Sequence, residues 1–210
     1  MARHATRILI FAKAPVPGEV KTRLIPTLGA RRAAALQAAL IRHTLTVAVQ
    51  SGLDVELWCH PDREHPLFWT YAREFPLVLH TQEGADLGAR MYHAAREALV
   101  AGPVILIGAD CPTLMAEELR EVSMVLERGS DAVLGPAVDG GYYLLGLNRA
   151  HPWLFEGISW GSDRVLEETQ QRLWTLGWQW QEMLIKRDMD RPADLAFLPV
   201  ALRTVINGFS

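Results

Sequence analysis

Cysteine is scarce in this chain. Cys59 and Cys111 are its only two, and they stand too far apart for a metal-ligating or redox spacing. Free thiols without a disulfide framework point to a reducing compartment, so the expectation is a cytoplasmic protein. Long apolar runs are missing as well. None approaches the roughly 20 residues needed to span a bilayer, and MARHATR leads into a short strand with neither a signal-peptide core nor a cleavage site. Neither charge dominates: 21 basic residues face 24 acidic ones, for a formal net charge of −3, which argues against a duplex nucleic-acid partner. Repeats, low-complexity tracts and linkers are absent too. What remains is 210 residues, 50% apolar and 21% charged, enough for one sizeable core. The expectation is a single domain over residues 1–210 that works on a small molecule, with no membrane or nucleic acid involved. Its oligomeric state is left open.

Two familiar phosphate motifs are also lacking. Lys21-Thr22 has Gly18 three residues before the lysine and no second glycine in register, so GxxxxGK[ST] is not met, and GxGxxG does not occur. In their place stands Ile8–Leu24, ILIFAKAPVPGEVKTRL. The apolar run Ile8-Leu9-Ile10-Phe11-Ala12 reads as a buried strand. It opens into a loop with Lys13, Lys21 and Arg23, stiffened by Pro15 and Pro17, ahead of a long helical pattern. A cationic loop between a buried strand and a helix is a usual place to hold a phosphate. Lys21 and Arg23, two residues apart, share a side if the loop is extended. The alternative is a solvated surface loop.

Further on, helical spacing covers Gly29–Gln50, closed by Gly52. Val55–Cys59 and Leu77–His80 read as strands flanking a short helix at 66–73. A helix then carries Leu87, Met91, Ala95 and Ala98 on one side. Val104–Ile107 is the most apolar strand, followed by a helix with Leu119, Val122 and Leu126. Alternating strands and helices predict right-handed crossovers and a largely parallel sheet covered on both faces. Asp131–Pro136 and Gly141–Leu147 are too close in sequence for a parallel crossover, so an antiparallel strand is expected there. A helix over 162–176 with Ser162 as cap, a strand over 178–183 and a loop into a short helix at 186–195 complete the reading.

Four further stretches bear chemistry. Asp110 follows the most apolar strand, at the sheet edge where open α/β folds bind ligands. Mg²⁺ or Mn²⁺ needs one or two carboxylates plus phosphate oxygens, yet Asp110 equally suits a helix cap, with Pro112 and Thr113 fixing the turn. Asp188 and Asp190 project to one side of an extended chain and either could share a metal with Asp110. Alternatively, Asp190 caps the next helix and Asp188 pairs with Lys186 or Arg187. Asp139-Gly140-Gly141-Tyr142 allows close backbone approach to a ligand, or is a hairpin turn. Gly84-Ala85-Asp86-Leu87-Gly88-Ala89-Arg90 either covers a base or ribose or caps a helix through Asp86. Trp160, in a loop, has an indole suited to stacking on a sugar or base. None of the seven histidines has a partner at metal or triad spacing.

Taken together, FAKAPVPGEVKTRL, QEGADLGARM, IGADCPTL, LGPAVDGGYYLLGL, ISWGS and DMDRPADL resemble the successive signatures of the radical-SAM/selenodomain-associated transferases. These are also described as arsenosugar-biosynthesis-type glycosyltransferases, within the nucleotide-diphospho-sugar transferases near the guanylyltransferases. The resemblance implies an α/β fold, a GT-A-like three-layer sandwich with a mixed, mostly parallel sheet. It implies a metal-dependent glycosyltransferase that uses Mg²⁺ or Mn²⁺, a nucleotide-diphospho-sugar donor and a small-molecule acceptor. Nucleotidyl transfer from a nucleoside triphosphate is the alternative, and a non-catalytic nucleotide-binding module a third. The implied nucleotide and phosphate site comprises Ala12, Lys13, Gly18, Lys21 and Arg23, with Gly84, Asp86 and Arg90 on the second loop. The implied metal ligands are Asp110 with Asp188 or Asp190. Asp139, Gly140, Gly141, Tyr142 and Trp160 would line the acceptor or sugar pocket, and the catalytic set is Asp139, Lys21 and Arg23. One departure matters: Asp110 is followed by Cys111-Pro112, so there is no DxD.

Overall fold

Strand β1 (Arg7–Lys13) already contains the layering. Ile8, Ile10 and Ala12 face one core while Leu9 and Phe11 face another, as the two-residue period of a strand requires. The structure, a computed structural model, describes residues 6–207. After β1 come a 3₁₀ turn (Thr22–Leu24), α1 (Ile25–Leu28), α2 (Ala30–Gln50), β2 (Asp54–His60), α3 (Pro66–Glu74), β3 (Leu77–Thr81), α4 (Leu87–Ala98), β4 (Val104–Gly108) and α5 (Ala116–Glu127). Then follow β5 (Ala132–Pro136), β6 (Tyr142–Leu147), a 3₁₀ turn (Pro152–Leu154), α6 (Val165–Thr175), β7 (Trp180–Glu182), a 3₁₀ helix (Pro192–Phe197) and α7 (Val200–Asn207).

The seven strands form one sheet in the order β3-β2-β1-β4-β6-β5-β7. β1, β2, β3 and β4 are mutually parallel, and β7 is parallel to β5. β6 runs antiparallel to both neighbours, as the short 137–141 connection demands. Helices α2, α3 and α5 pack on the Ile8/Ile10 side through Ile41, Leu45, Phe68 and Leu119. Helices α4 and α6 cover the other side through Met91, Ala94, Ala95 and Leu173. The result is a three-layer α/β sandwich with a mixed, mostly parallel sheet. No helix among the described residues is long and apolar enough to cross a membrane.

A third cluster lies beyond the sheet. Leu24, Leu36 and Leu40 meet Met189, Leu198 and Leu202. Burying one such side chain is worth about 1.5–3 kcal/mol, so the cluster anchors the C-terminal segment to α2. Neither α7 nor the short helices at 22–28 were expected. The helix foreseen at 162–176 starts only at Val165. Its N-cap is Arg164, without a side-chain cap, and Ser162 Oγ merely accepts from Arg164 N at 3.2 Å.

Candidate functional site

Parallel strands end on the same edge, so the segments after β1, β2, β3 and β4 meet there. The reversed strand β6 begins at that edge, which brings residues 137–141 in. Beyond β7 the chain continues along β5 and its extension. Lys186 N donates to Pro136 O at 3.0 Å, Val138 N to Lys186 O at 2.9 Å, and Met189 N to Asp110 O at 2.8 Å. Asp110, Asp139, Asp188 and Asp190, scattered over 81 positions of sequence, are thereby gathered at one sheet edge.

A cleft of about 410 Å³ opens at this edge. Ala12, Lys13, Lys21, Arg90, Asp110 and Asp190 line it, and Lys13, Lys21 and Arg90 are its cations. Lys21 sits at φ 48, in the left-handed region, within a turn that runs into the 3₁₀ segment. The extended loop expected to aim Lys21 and Arg23 at one anion therefore does not form. Instead Lys21, only 9% exposed, sends its Nζ to 2.6 Å from Asp110 Oδ1. This contact is an ion pair without the alignment of a hydrogen bond. Arg23 is an exposed partner of Asp190 and lies outside the cleft lining. Gly18, at φ 92, shapes the turn without lining the cleft.

The second loop acts mainly as scaffolding. Asp86 is the N-cap of α4, its Oδ1 accepting from Ala89 N at 2.8 Å, which resolves its role in favour of the cap. Gly84, at φ 145, lies so close to Ala89 and Arg90 that a Cβ would collide with their backbone. That turn orients Arg90, whose Nε donates to Asp86 O at 3.1 Å and whose Nη1 reaches His60 Nδ1 at 2.8 Å. Burial, Arg90 and Lys13 hold the His60 imidazole below its usual range, so it stays neutral and accepts from the guanidinium. His60, Gln37 and Gln82 also line the cleft and were missed in the sequence. Gln37 and Gln82 are buried polar residues, and Gln82 Nε2 donates to Trp58 O at 2.8 Å. Of the three, only His60 had a visible signal, its place at the end of a strand on this edge.

The far wall settles the local alternatives for the aspartates. Asp110 is not the cap of the following helix: α5 starts at Ala116, with Met115 as N-cap. Lys186 is paired with Glu118 at 3.0 Å and Arg187 with Asp194 at 3.0 Å. Asp194, not Asp190, serves the last 3₁₀ helix, accepting from Arg191 N at 2.7 Å and Asp190 N at 3.2 Å. Asp188 thus has neither expected partner, and its Oδ1 is buried without one. Burial, with Asp110 and Asp139 beside it, pushes the Asp188 carboxyl up to about 7. An orphaned oxygen among crowded carboxylates fits a divalent cation. Among the described residues no three His, Cys, Asp or Glu side chains cage an ion by themselves. A hard cation here would complete its shell with phosphate oxygens and water. Asp110 and Asp188 are the residues suited to hold it, and Asp190 is already engaged by Arg23.

A second cavity, of about 210 Å³, lies behind Phe11 and Leu87, which line both spaces. Asp139, Gly141, Tyr142 and Trp160 line it, so four of the five residues expected around an acceptor come together. Trp160 meets Tyr142 edge-on, with ring centroids 6.5 Å apart. Asp139 Oδ1 accepts from Gly141 N at 3.0 Å, holding the turn before β6. Gly140 does not line the cavity. At φ 88 it packs against the Asp163 carbonyl where no Cβ fits, and its own carbonyl accepts from Leu166 N at 2.9 Å. It thereby ties the turn to the start of α6.

Comparison with known proteins places this architecture. A crystal structure from Desulfovibrio desulfuricans G20, of a protein provisionally named a nucleotide-diphospho-sugar transferase, superposes with a TM-score of 0.81 at 32% identity, covering 89% of this chain and 82% of that one. The inositol-1-phosphate CTP transferase of T. maritima aligns with a TM-score of 0.61 at 12% identity, over 99% and 96% of the two chains. A Mycobacterium tuberculosis H37Rv protein solved in complex with manganese gives 0.51 at 15% identity, over 98% and 100%. These two distant likenesses show the fold alone. No protein of curated function matches the sequence. The family match over residues 28–162, with the 32% identity along most of both chains, shows that this chain belongs to the bacterial family described as uncharacterized protein conserved in bacteria (DUF2064).

Proposed function

We propose that the protein is a metal-dependent glycosyltransferase that takes a nucleotide-diphospho-sugar donor and a small-molecule acceptor. The observation that carries this reading is the pairing of buried Lys21 with half-exposed Asp110 near Asp188, whose Oδ1 is buried without a partner. Lys21 and Asp110 line the cleft of about 410 Å³, and Asp188 lies beside Asp110 in the wall of the adjoining space. Its 32% identical relative bears a nucleotide-diphospho-sugar transferase name, and the six sequence signatures extend the reading to the radical-SAM-associated branch.

In this reading Lys13, Lys21 and Arg90 bind the diphosphate, and His60 and Gly84 keep Arg90 in position. Asp110 and Asp188 hold Mg²⁺ or Mn²⁺, which when bound offsets the charge on the departing diphosphate. Lys21 adds a preorganised positive charge in a partly water-excluded setting, where such charges act most strongly. Asp139 accepts the proton of the acceptor hydroxyl. Arg23 has a supporting part through Asp190. We read residues 1–210 as one domain, supported by the single continuous sheet, and as cytoplasmic, supported by two buried free cysteines.

A thermal-shift panel of nucleotides and nucleotide sugars with and without Mn²⁺ tests the proposal, because a ligand at 100 times its Kd adds about 2.7 kcal/mol. A nucleotide sugar should stabilise the protein only with metal, and turnover should release a nucleoside diphosphate. Pyrophosphate release from GTP or CTP would replace this reading with nucleotidyl transfer, which Asp110-Cys111-Pro112 in place of DxD favours. Binding without turnover across the panel would leave a nucleotide-binding module.

A further inference from the structure

The two spaces at the sheet edge differ in a way that bears on the second substrate. Lys13, Lys21 and Arg90 line the cleft, whereas among the described residues no Lys, Arg or His lines the 210 Å³ cavity. Asp139 is the one charged residue among the described residues that line it, and the wall is mainly apolar and aromatic, with Phe11, Met91, Ile107, Tyr142, Trp160 and Val165 among its members. A phosphate or carboxylate there would lie beside a carboxylate with no cation to offset its desolvation. The cavity's polar side chains are also few. The Tyr143 hydroxyl donates to Leu184 O at 3.2 Å, and Trp160 Nε1 is buried against Gly88 without a partner. Asp139, Ser162 and the Trp160 N–H remain, too few to satisfy a polyhydroxylated ring.

From this wall chemistry we infer that the cavity selects an uncharged acceptor with an apolar, ring-sized body and a single nucleophilic hydroxyl, and rejects phosphorylated and sugar acceptors. The inference rests on the transferase reading above and adds the acceptor's class. The acceptor oxygen attacks the anomeric carbon of the donor and forms the new C–O bond. The bond from that carbon to the diphosphate breaks, with its electron pair leaving on the nucleoside diphosphate, and the hydroxyl proton passes to Asp139. A neighbouring space of about 320 Å³ with Arg187 and Arg191 is no better for an anion. Asp139, Asp188, Asp190 and Asp194 also line it, and Arg187 is already paired with Asp194 and stacked on Phe197.

The test is ligand-observed NMR on the full chain with three probes: benzyl alcohol, glucose and phenyl phosphate, each with and without UDP or GDP and Mn²⁺. Benzyl alcohol should bind at least tenfold more tightly than the other two. Ser162→Phe, at the half-exposed mouth, and Val165→Phe, inside, should each weaken it at least tenfold while leaving nucleotide binding intact. Tighter binding of glucose or phenyl phosphate overturns the inference, as does benzyl alcohol binding unchanged in both folded variants, or no binding of benzyl alcohol. The ranking of the three probes on the unaltered protein decides the matter even if neither variant folds. Benzyl alcohol binding without any nucleotide binding would overturn the transferase reading and leave the cavity's selectivity standing. Nucleotide binding with a preference for phenyl phosphate would do the reverse.

Discussion

The cleft and the cavity share Phe11 and Leu87 as a common wall, yet they are built by different means. The cleft takes its cations from positions that follow directly from strand order: Lys13 ends β1, Lys21 follows it, and Arg90 stands in the first turn of α4, the helix after β3. The cavity depends on β6 running backwards and on Gly140 tying its turn to α6. One side is polar and open, as a diphosphate needs; the other is aromatic and holds one carboxylate. Grip and chemistry are therefore separable, and substitutions on each side should move different observables.

The largest effect should come from Asp110→Asn. Loss of this electrostatic stabiliser should lower turnover about 10²–10³-fold and abolish the Mn²⁺-dependent part of nucleotide binding, seen by thermal shift. Unchanged metal dependence would remove Asp110 from the site. Second comes pH. Asp188, lifted from 3.8 to about 7 by burial and by Asp110, keeps its proton more tightly folded than unfolded. The folded state then binds more protons, so metal-free stability should fall as pH rises from about 4 to 7. Asp188→Asn should flatten that part of the melting-temperature profile, and Mn²⁺ affinity of the unaltered protein should rise through pH 7 as the proton leaves. A profile equally steep in the variant would contradict this assignment.

Trp160→Ala should be milder and confined to the cavity. Acceptor KM should rise about tenfold, equivalent to about 1.4 kcal/mol, with nucleotide affinity unchanged; a matching loss of nucleotide affinity would erase the division between the two spaces. The smallest effect belongs to Arg23→Ala. Its pair with Asp190 is exposed on both sides, and such pairs contribute less than about 1 kcal/mol. Nucleotide affinity measured by calorimetry should barely change, and a tenfold drop would return Arg23 to the phosphate site.

Much of this could be read along the chain. The buried strands, the crossovers and the antiparallel turn at 137–141 follow from apolar runs and from connection lengths, which are local properties. So does the candidate status of Asp110, since a carboxylate directly after a buried strand is placed by its neighbours alone. The pairing of Lys21 was not local. Its left-handed backbone and its reach to a carboxylate 89 positions away depend on the packing of the 3₁₀ turn against α2. Arg23, grouped with Lys21 by spacing, is parted from it by the same turn.

The amino-acid order by itself determined the sandwich, the edge on which the site lies and the kinds of group available there, because periodicity and turn chemistry act over a few residues. Only the tertiary structure decided between Asp188 and Asp190, two positions that local sequence makes equivalent. Met189 between them is buried among Leu24, Leu36, Leu40, Leu198 and Leu202, and its N–H binds Asp110 O. Met189 pins the segment between the two carboxylates; Asp188 then lies near Asp110 and Asp139 with its Oδ1 buried, whereas Asp190 is left to the exposed Arg23.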